Sequence, residues 1–159
     1  MPTSRSAHSA SVSSPSTPLR PGPTAIFRAL LSLIFLVAGI GHMLQPEQVA
    51  SRLLDAKLGF LATAIAPAEV LVLLSGIALI AGSLALLTGF QTRLAAMGLI
   101  VVLIPITLTI QVGRPTLGPL FKNIAILGGL LFFTTHGSSA YSIDAYVRRR
   151  KDETRRTHR

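Results

Sequence analysis

The chain contains no cysteine, which removes disulfides, thiolate metal sites, iron–sulfur ligation and thiol redox relays from its own chemistry. Acidic residues are scarce, six against fifteen Lys and Arg. Charge of either sign is missing from four long stretches: positions 29–46, 70–92, 94–113 and 123–143 hold no Asp, Glu, Lys or Arg. A helix needs about 20 apolar residues to cross the hydrocarbon core of a bilayer, so each gap is long enough to span. With a mean hydropathy of +0.59, this pattern predicts an all-α protein, an integral membrane four-helix bundle, in preference to a soluble domain. Also absent are a Walker loop, a nucleotide-binding glycine motif on a strand–helix unit and a zinc-like His cluster. The net charge of +9 does not indicate nucleic acid, because seven of the fifteen basic residues fall in the last twelve positions, flanking a membrane helix. There, basic charge reports topology.

Residues 1–24 are rich in Ser, Thr and Pro and free of acid, a composition that cannot pack and is read as a disordered cytoplasmic tail. An organellar transit segment has the same look and stays open as the lesser reading, whereas a cleaved secretory signal fits poorly because the apolar run from Ala29 is too long. The membrane domain is expected over 25–146, with helices at about 24–44, 67–87, 94–112 and 120–135, and a basic cytoplasmic tail over 147–159. Between the first two helices, Val49, Leu53, Leu54 and Leu58 share one face of a short amphipathic helix suited to the membrane surface. The apolar GFLATAIA that follows is too short to span, and is either a run-in to the second helix or an interfacial loop. Ala78 with Gly82, and Ala125 with Gly129, are small-xxx-small pairs; they either bring backbones close or reflect the frequency of glycine in membrane helices.

Lys and Arg number eleven on the side of the two termini and the 2–3 turn, and four in the other two loops with Lys122, so both termini are predicted cytoplasmic in the cell membrane. Because alternate helices run in opposite directions, His42, Glu69, Gln111, Lys122 and Asn123 fall near the external face, one level for all four helices. They suggest a shared pocket with Glu69 paired to Lys122 or His42; the alternative is five interfacial residues reaching water independently. At the other level gather Arg28, Arg93, His136 and Asp144, where an ion pair from Asp144 to Arg28 or Arg93 would tie down the C-terminal segment, against separate solvated charges. His42 and His136 lie a membrane thickness apart and cannot ligate one haem.

LIFLVAGIGHML, PAEVLVLLSGIALIAGSLALLTGFQTRLAAMGL and FKNIAILGGLLFF with GSSAYSIDA, spread over about residues 26–146, resemble the DoxX family of small four-helix membrane proteins. The resemblance implies a membrane subunit of quinone-linked oxidoreductase systems, some handling thiosulfate or oxidative stress, although many members have no assigned activity. Glu69, Arg93, Lys122, Asn123 and Asp144 match the family motif, while His42 stands where the family often has Lys.

Two functions are expected to compete. In one, a quinone or small reductant binds near the external face, with His42, Gln111, Lys122 and Asn123 as ligand-binding residues and Glu69 as the catalytic proton acceptor. Quinone or quinol would be the only cofactor, none covalently bound, and a redox partner protein or a second copy would complete the system in the bilayer. In the other, the chain is a non-catalytic scaffold; a small-solute transporter ranks third. Whether the chain is an enzyme stays open at this stage.

Overall fold

The computed structural model of the protein describes residues 21–112, 117–138 and 141–157. Most of the expected disordered tail lies outside these residues, but its last part is helical. Helix α1 (Pro21–Leu44) begins with prolines in its first turn, where the missing N–H has no intrahelical partner to lose. Then come α2 (Pro46–Leu54), α3 (Gly59–Thr63), α4 (Ala68–Thr88), α5 (Thr92–Ile106), α6 (Gly118–His136) and α7 (Ile143–Thr157). No strand occurs among the described residues. Four helices are long and apolar enough to cross a membrane: α1, α4, α5 with the turn that extends it to Gln111, and α6.

These four form a closed ring: α1 packs on α4, α4 on α5, α5 on α6, and α6 returns to α1. Inside lie Leu31, Phe35, Leu79, Leu86, Leu99, Leu130 and Phe133. The outer surface is equally apolar, with Ile26, Leu30, Val37, Leu74, Ile77, Val101 and Leu131 all exposed. Helices apolar on every side belong in lipid. Burying such side chains against each other gains little over lipid tails, so association depends on close van der Waals packing and interhelical hydrogen bonds.

The closest approach is made where α1 and α4 cross at Gly39 and Gly76. A Cβ on Gly39 would sit 3.0 Å from the Gly76 carbonyl oxygen, and one on Gly76 would sit 2.9 Å from His42 Cβ. No side chain fits there, and the crossing sets His42 against α4. Gly76→Leu is therefore expected to overpack the crossing and cost about 1–3 kcal/mol or more, read as a lower Tm in detergent. Of the glycines in the sequence-level pairs, Gly82 faces Leu99, and Gly129 faces Phe27 and Leu31.

Three elements depart from expectation. The segment 94–112 is not one straight helix: α5 ends at Ile106 and a π-helical turn, Thr107–Gln111, follows Pro105. Pro105 has no N–H to close the α-helical ladder, and the Thr107 and Thr109 hydroxyls donate to the Leu103 and Pro105 carbonyls, both at 2.7 Å. GFLATAIA does not span, as expected, but it is neither a run-in to the second helix nor a loop throughout, since its Gly59–Thr63 forms the separate one-turn helix α3. With α2 it packs as a cap on α4 and the π turn, burying Ala50, Leu53, Ala68 and Val72. The C-terminal tail is helical too, and α7 starts at Ile143, inside the expected domain.

Candidate functional site

His42 comes one turn after Gly39 and meets Ser75, the residue before Gly76. Its Nδ1 lies 2.9 Å from Ser75 Oγ, and the Ser75 hydroxyl donates to the Val72 carbonyl at 2.8 Å. A hydroxyl has one proton to give. With that proton on the Val72 carbonyl, Ser75 Oγ is assigned as the acceptor from His42, the tautomer that carries its proton on Nδ1 and leaves Nε2 as the acceptor of the neutral ring. No protein group among the described residues bonds to Nε2.

The imidazole forms part of the wall between two cavities. One, of about 350 Å³, lies among α4, α5 and the α2–α3 cap and is lined by Leu53, Leu71, Ala78, Val102 and Pro105. The other, of about 310 Å³, is bounded by Gln45, Gln48, Arg52 and Gln111. His42, Val49, Ile106 and Ile110 border both. Gln111 Oε1 is buried without a hydrogen-bond partner, a deficit of about 1–3 kcal/mol that a ligand or water donor would relieve. The π turn is what carries Ile110 and Gln111 to this level, and such turns recur at functional sites.

The sequence-level set does not assemble whole. His42 and Gln111 meet at the polar cavity. Asn123 is buried elsewhere, at a small space between α5 and α6, where its Nδ2 donates to Thr107 Oγ1 at 3.0 Å. It clamps α6 to the π turn. Glu69 and Lys122 are exposed, and neither makes a hydrogen bond or ion pair among the described residues. The expected Glu69–Lys122 pair is not formed, because Glu69 sits in the first turn of α4 facing outward and Lys122 points away on the helix whose Asn123 points in. Accordingly, Glu69→Gln and Lys122→Met should be additive in a double-mutant cycle, with coupling under about 0.5 kcal/mol in chemical unfolding. Sequence reasoning passed over Ser75, Gln45, Gln48 and Arg52. Only the spacing of Gly39 to His42 and of Ser75 to Gly76 hints at the first.

At the opposite end of the bundle Asp144 makes no direct hydrogen bond to Arg28 or Arg93, although Arg28 lies within electrostatic reach of it. Its carboxylate instead takes the exposed N–H groups at the start of α5, accepting from Gln91 N at 2.8 Å, Thr92 N at 3.1 Å and Thr92 Oγ1 at 3.2 Å, with Ser138 Oγ at 3.3 Å. Helix starts favour a carboxylate in this position. Burial pushes the Asp144 carboxyl up, but the backbone donors of Thr92 and Gln91 with the two hydroxyls outweigh it and hold it below the ordinary carboxylate range. Arg28 is buried; its Nη2 donates to the Tyr141 carbonyl at 2.6 Å, while Nε and Nη1 have no hydrogen-bond partner. Arg93 Nη2 donates to the Thr135 carbonyl at 3.1 Å. No group of three or more His, Cys, Asp or Glu fit to hold a metal occurs among the described residues.

Four spanning helices capped by a short helical hairpin, with a histidine-walled cavity beneath the cap, define a small multi-pass membrane protein. The DoxX family model matches residues 24–112, more than half of the chain, which belongs to that family. The match runs from α1 through the π turn, taking in His42, Ser75 and Gln111 and stopping before α6. No curated protein and no solved structure matches the chain.

Proposed function

We propose that the chain is the membrane subunit of a quinone-linked redox system and that it holds a quinol-type headgroup in the apolar cavity against His42. The observation that carries this reading is the placement of the ring: Ser75 engages Nδ1, and the imidazole stands in the wall of a largely apolar cavity with no protein partner on Nε2 among the described residues. That combination suits an amphiphile whose ring is apolar and whose hydroxyl is a donor. It suits a charged solute poorly. His42 Nε2 accepts the hydroxyl proton, and Ser75 keeps the resulting imidazolium in place through Nδ1–H. Gln111 Oε1 offers a second acceptor on the polar side. When bound, a quinol would supply two electrons and two protons, the electrons leaving to a partner redox protein, one proton passing to His42 and the second to water entering from the polar cavity. The role of proton acceptor thus passes from Glu69, which borders neither cavity, to His42. Binding of a short-chain quinol to the purified protein tests this, with His42→Leu expected to weaken it.

The scaffold reading draws on a different observation, that Asn123, Asp144 and Arg28 spend their hydrogen bonds fastening one element to another. The two readings separate at His42: a pure scaffold should assemble and function with leucine there. The basic-residue asymmetry supports both termini in the cytoplasm, which puts the His42 cavities at the external face. A reporter fused after Gly118 is expected outside and one fused after Arg159 inside; the reverse result would exchange the faces.

A further inference from the structure

We propose that the groove between the start of α5 and the start of α7 binds the headgroup of an anionic phospholipid. This open groove, of about 570 Å³, lies at the end of the bundle away from His42. Its polar side is formed by Arg93, His136, Ser138 and Arg148, and its apolar side by Phe90, Leu94 and Val147. The last three are exposed, at 51%, 57% and 42%.

Each guanidinium is aimed by its own backbone carbonyl. Arg93 Nη2 donates to Thr135 O at 3.1 Å and Arg148 Nε to Asp144 O at 3.2 Å. Their other N–H groups have no protein acceptor among the described residues. The one carboxylate in the groove, Asp144, is already taken up by the start of α5 and the Ser138 hydroxyl. Buried Arg28 lies within electrostatic reach of it. The groove itself is therefore lined by two guanidiniums, those of Arg93 and Arg148, beside one satisfied carboxylate, which leaves it cationic.

Position decides the occupant. Arg93 and His136 stand at the ends of membrane-spanning helices, so the groove lies where headgroups meet acyl chains. A molecule with phosphate oxygens above and hydrocarbon below matches the two sides: forked N–H donors for the phosphate and Phe90, Leu94 and Val147 for the first methylenes. The surplus of positive charge selects a lipid with net negative charge over a zwitterionic one. Arg149, Arg150 and Lys151, exposed further along α7, do not line the groove.

Native mass spectrometry of the full-length protein, titrated with phosphatidylglycerol or phosphatidylcholine, tests the site. Phosphatidylglycerol should be retained preferentially. Arg93→Gln should weaken it about fivefold, and Arg93→Gln with Arg148→Gln about thirtyfold, at roughly one charge contact each. Arg149→Gln with Arg150→Gln should stay within about twofold of wild type, because those side chains lie outside the groove. Equal retention of both lipids, equal losses in the two double variants, or saturation by inorganic phosphate with no lipid preference would each overturn the proposal. Should the groove variant fail to fold, a photoactivatable phosphatidylglycerol on the wild-type protein serves instead. Crosslinks at Phe90, Leu94 or Val147 support the site, and crosslinks confined to other surfaces refute it.

Discussion

Asp144→Ala is expected to lower the stability of the bundle by about 3 kcal/mol, since hydrogen bonds to a charged group are worth about 1.5–3 kcal/mol and the substitution strands several donors at once. The carboxylate joins three places in the chain: the Gln91–Thr92 start of α5, Ser138 after α6, and α7, on which it sits. Asp144→Asn should cost about half as much, because one carbonyl oxygen still accepts while the amide nitrogen faces N–H groups. The effect depends on pH in a definite direction. The folded carboxyl lies below the ordinary range, so on acidification the unfolded chain binds the proton first, and stability falls as protons are taken up. The contribution is complete above the unfolded value of about 4 and disappears as pH drops through the lower folded value. Thermal unfolding in detergent from neutral pH downward should therefore show the gap between wild type and Asp144→Asn closing below about pH 4. A gap that is independent of pH would mean that the carboxylate charge does not hold the helix start.

His42→Leu should leave the fold intact and remove the proposed chemistry. Leucine fills the space of the ring and keeps the α1–α4 crossing, while Ser75 still has the Val72 carbonyl for its hydroxyl proton. Losing a neutral hydrogen bond should weaken quinol binding by about tenfold. Losing a positioned proton acceptor should reduce quinol-dependent electron transfer by the assembled complex about 10²- to 10⁴-fold. Ser75→Ala should fall between, since the ring stays but its tautomer is no longer set. Unchanged electron transfer in His42→Leu would favour the scaffold.

The four spans were legible because lipid imposes one rule everywhere: charge must be absent for a membrane thickness. The 29–46, 70–92, 94–113 and 123–143 gaps correspond to α1, α4, α5 with its π turn, and α6. Depth was legible as well, and it correctly placed His42 and Gln111 at one end. Facing was not. Lys122 and Asn123 are neighbours in sequence, yet a rotation of about 100° per residue sends one outward and the other into the bundle. No strong amphipathic stripe exists to reveal this when both surfaces of a helix are apolar. Glu69 attracted attention as a carboxylate beside a long apolar run, but it begins its helix and stays outside. The His42–Ser75 contact spans 33 residues and depends on where two glycines cross, which is a property of the pair of helices. Asp144 falls at the expected end and within electrostatic reach of Arg28, but its hydrogen bonds go to a helix start, which competes with arginine for a carboxylate and which residue-by-residue charge matching overlooks.

The most direct test of the central claim is the ¹⁵N spectrum of the imidazole of His42 in histidine-labelled protein, assigned by its loss in His42→Gln and recorded with and without a short-chain quinol. Without quinol, a neutral ring protonated at Nδ1 and unprotonated at Nε2 is expected. With quinol present, the Nε2 resonance should move toward the hydrogen-bonded position while Nδ1 stays protonated, and Ser75→Ala should blur the distinction between the two nitrogens. A ring carrying its proton on Nε2, or an Nε2 resonance indifferent to saturating quinol, would contradict it.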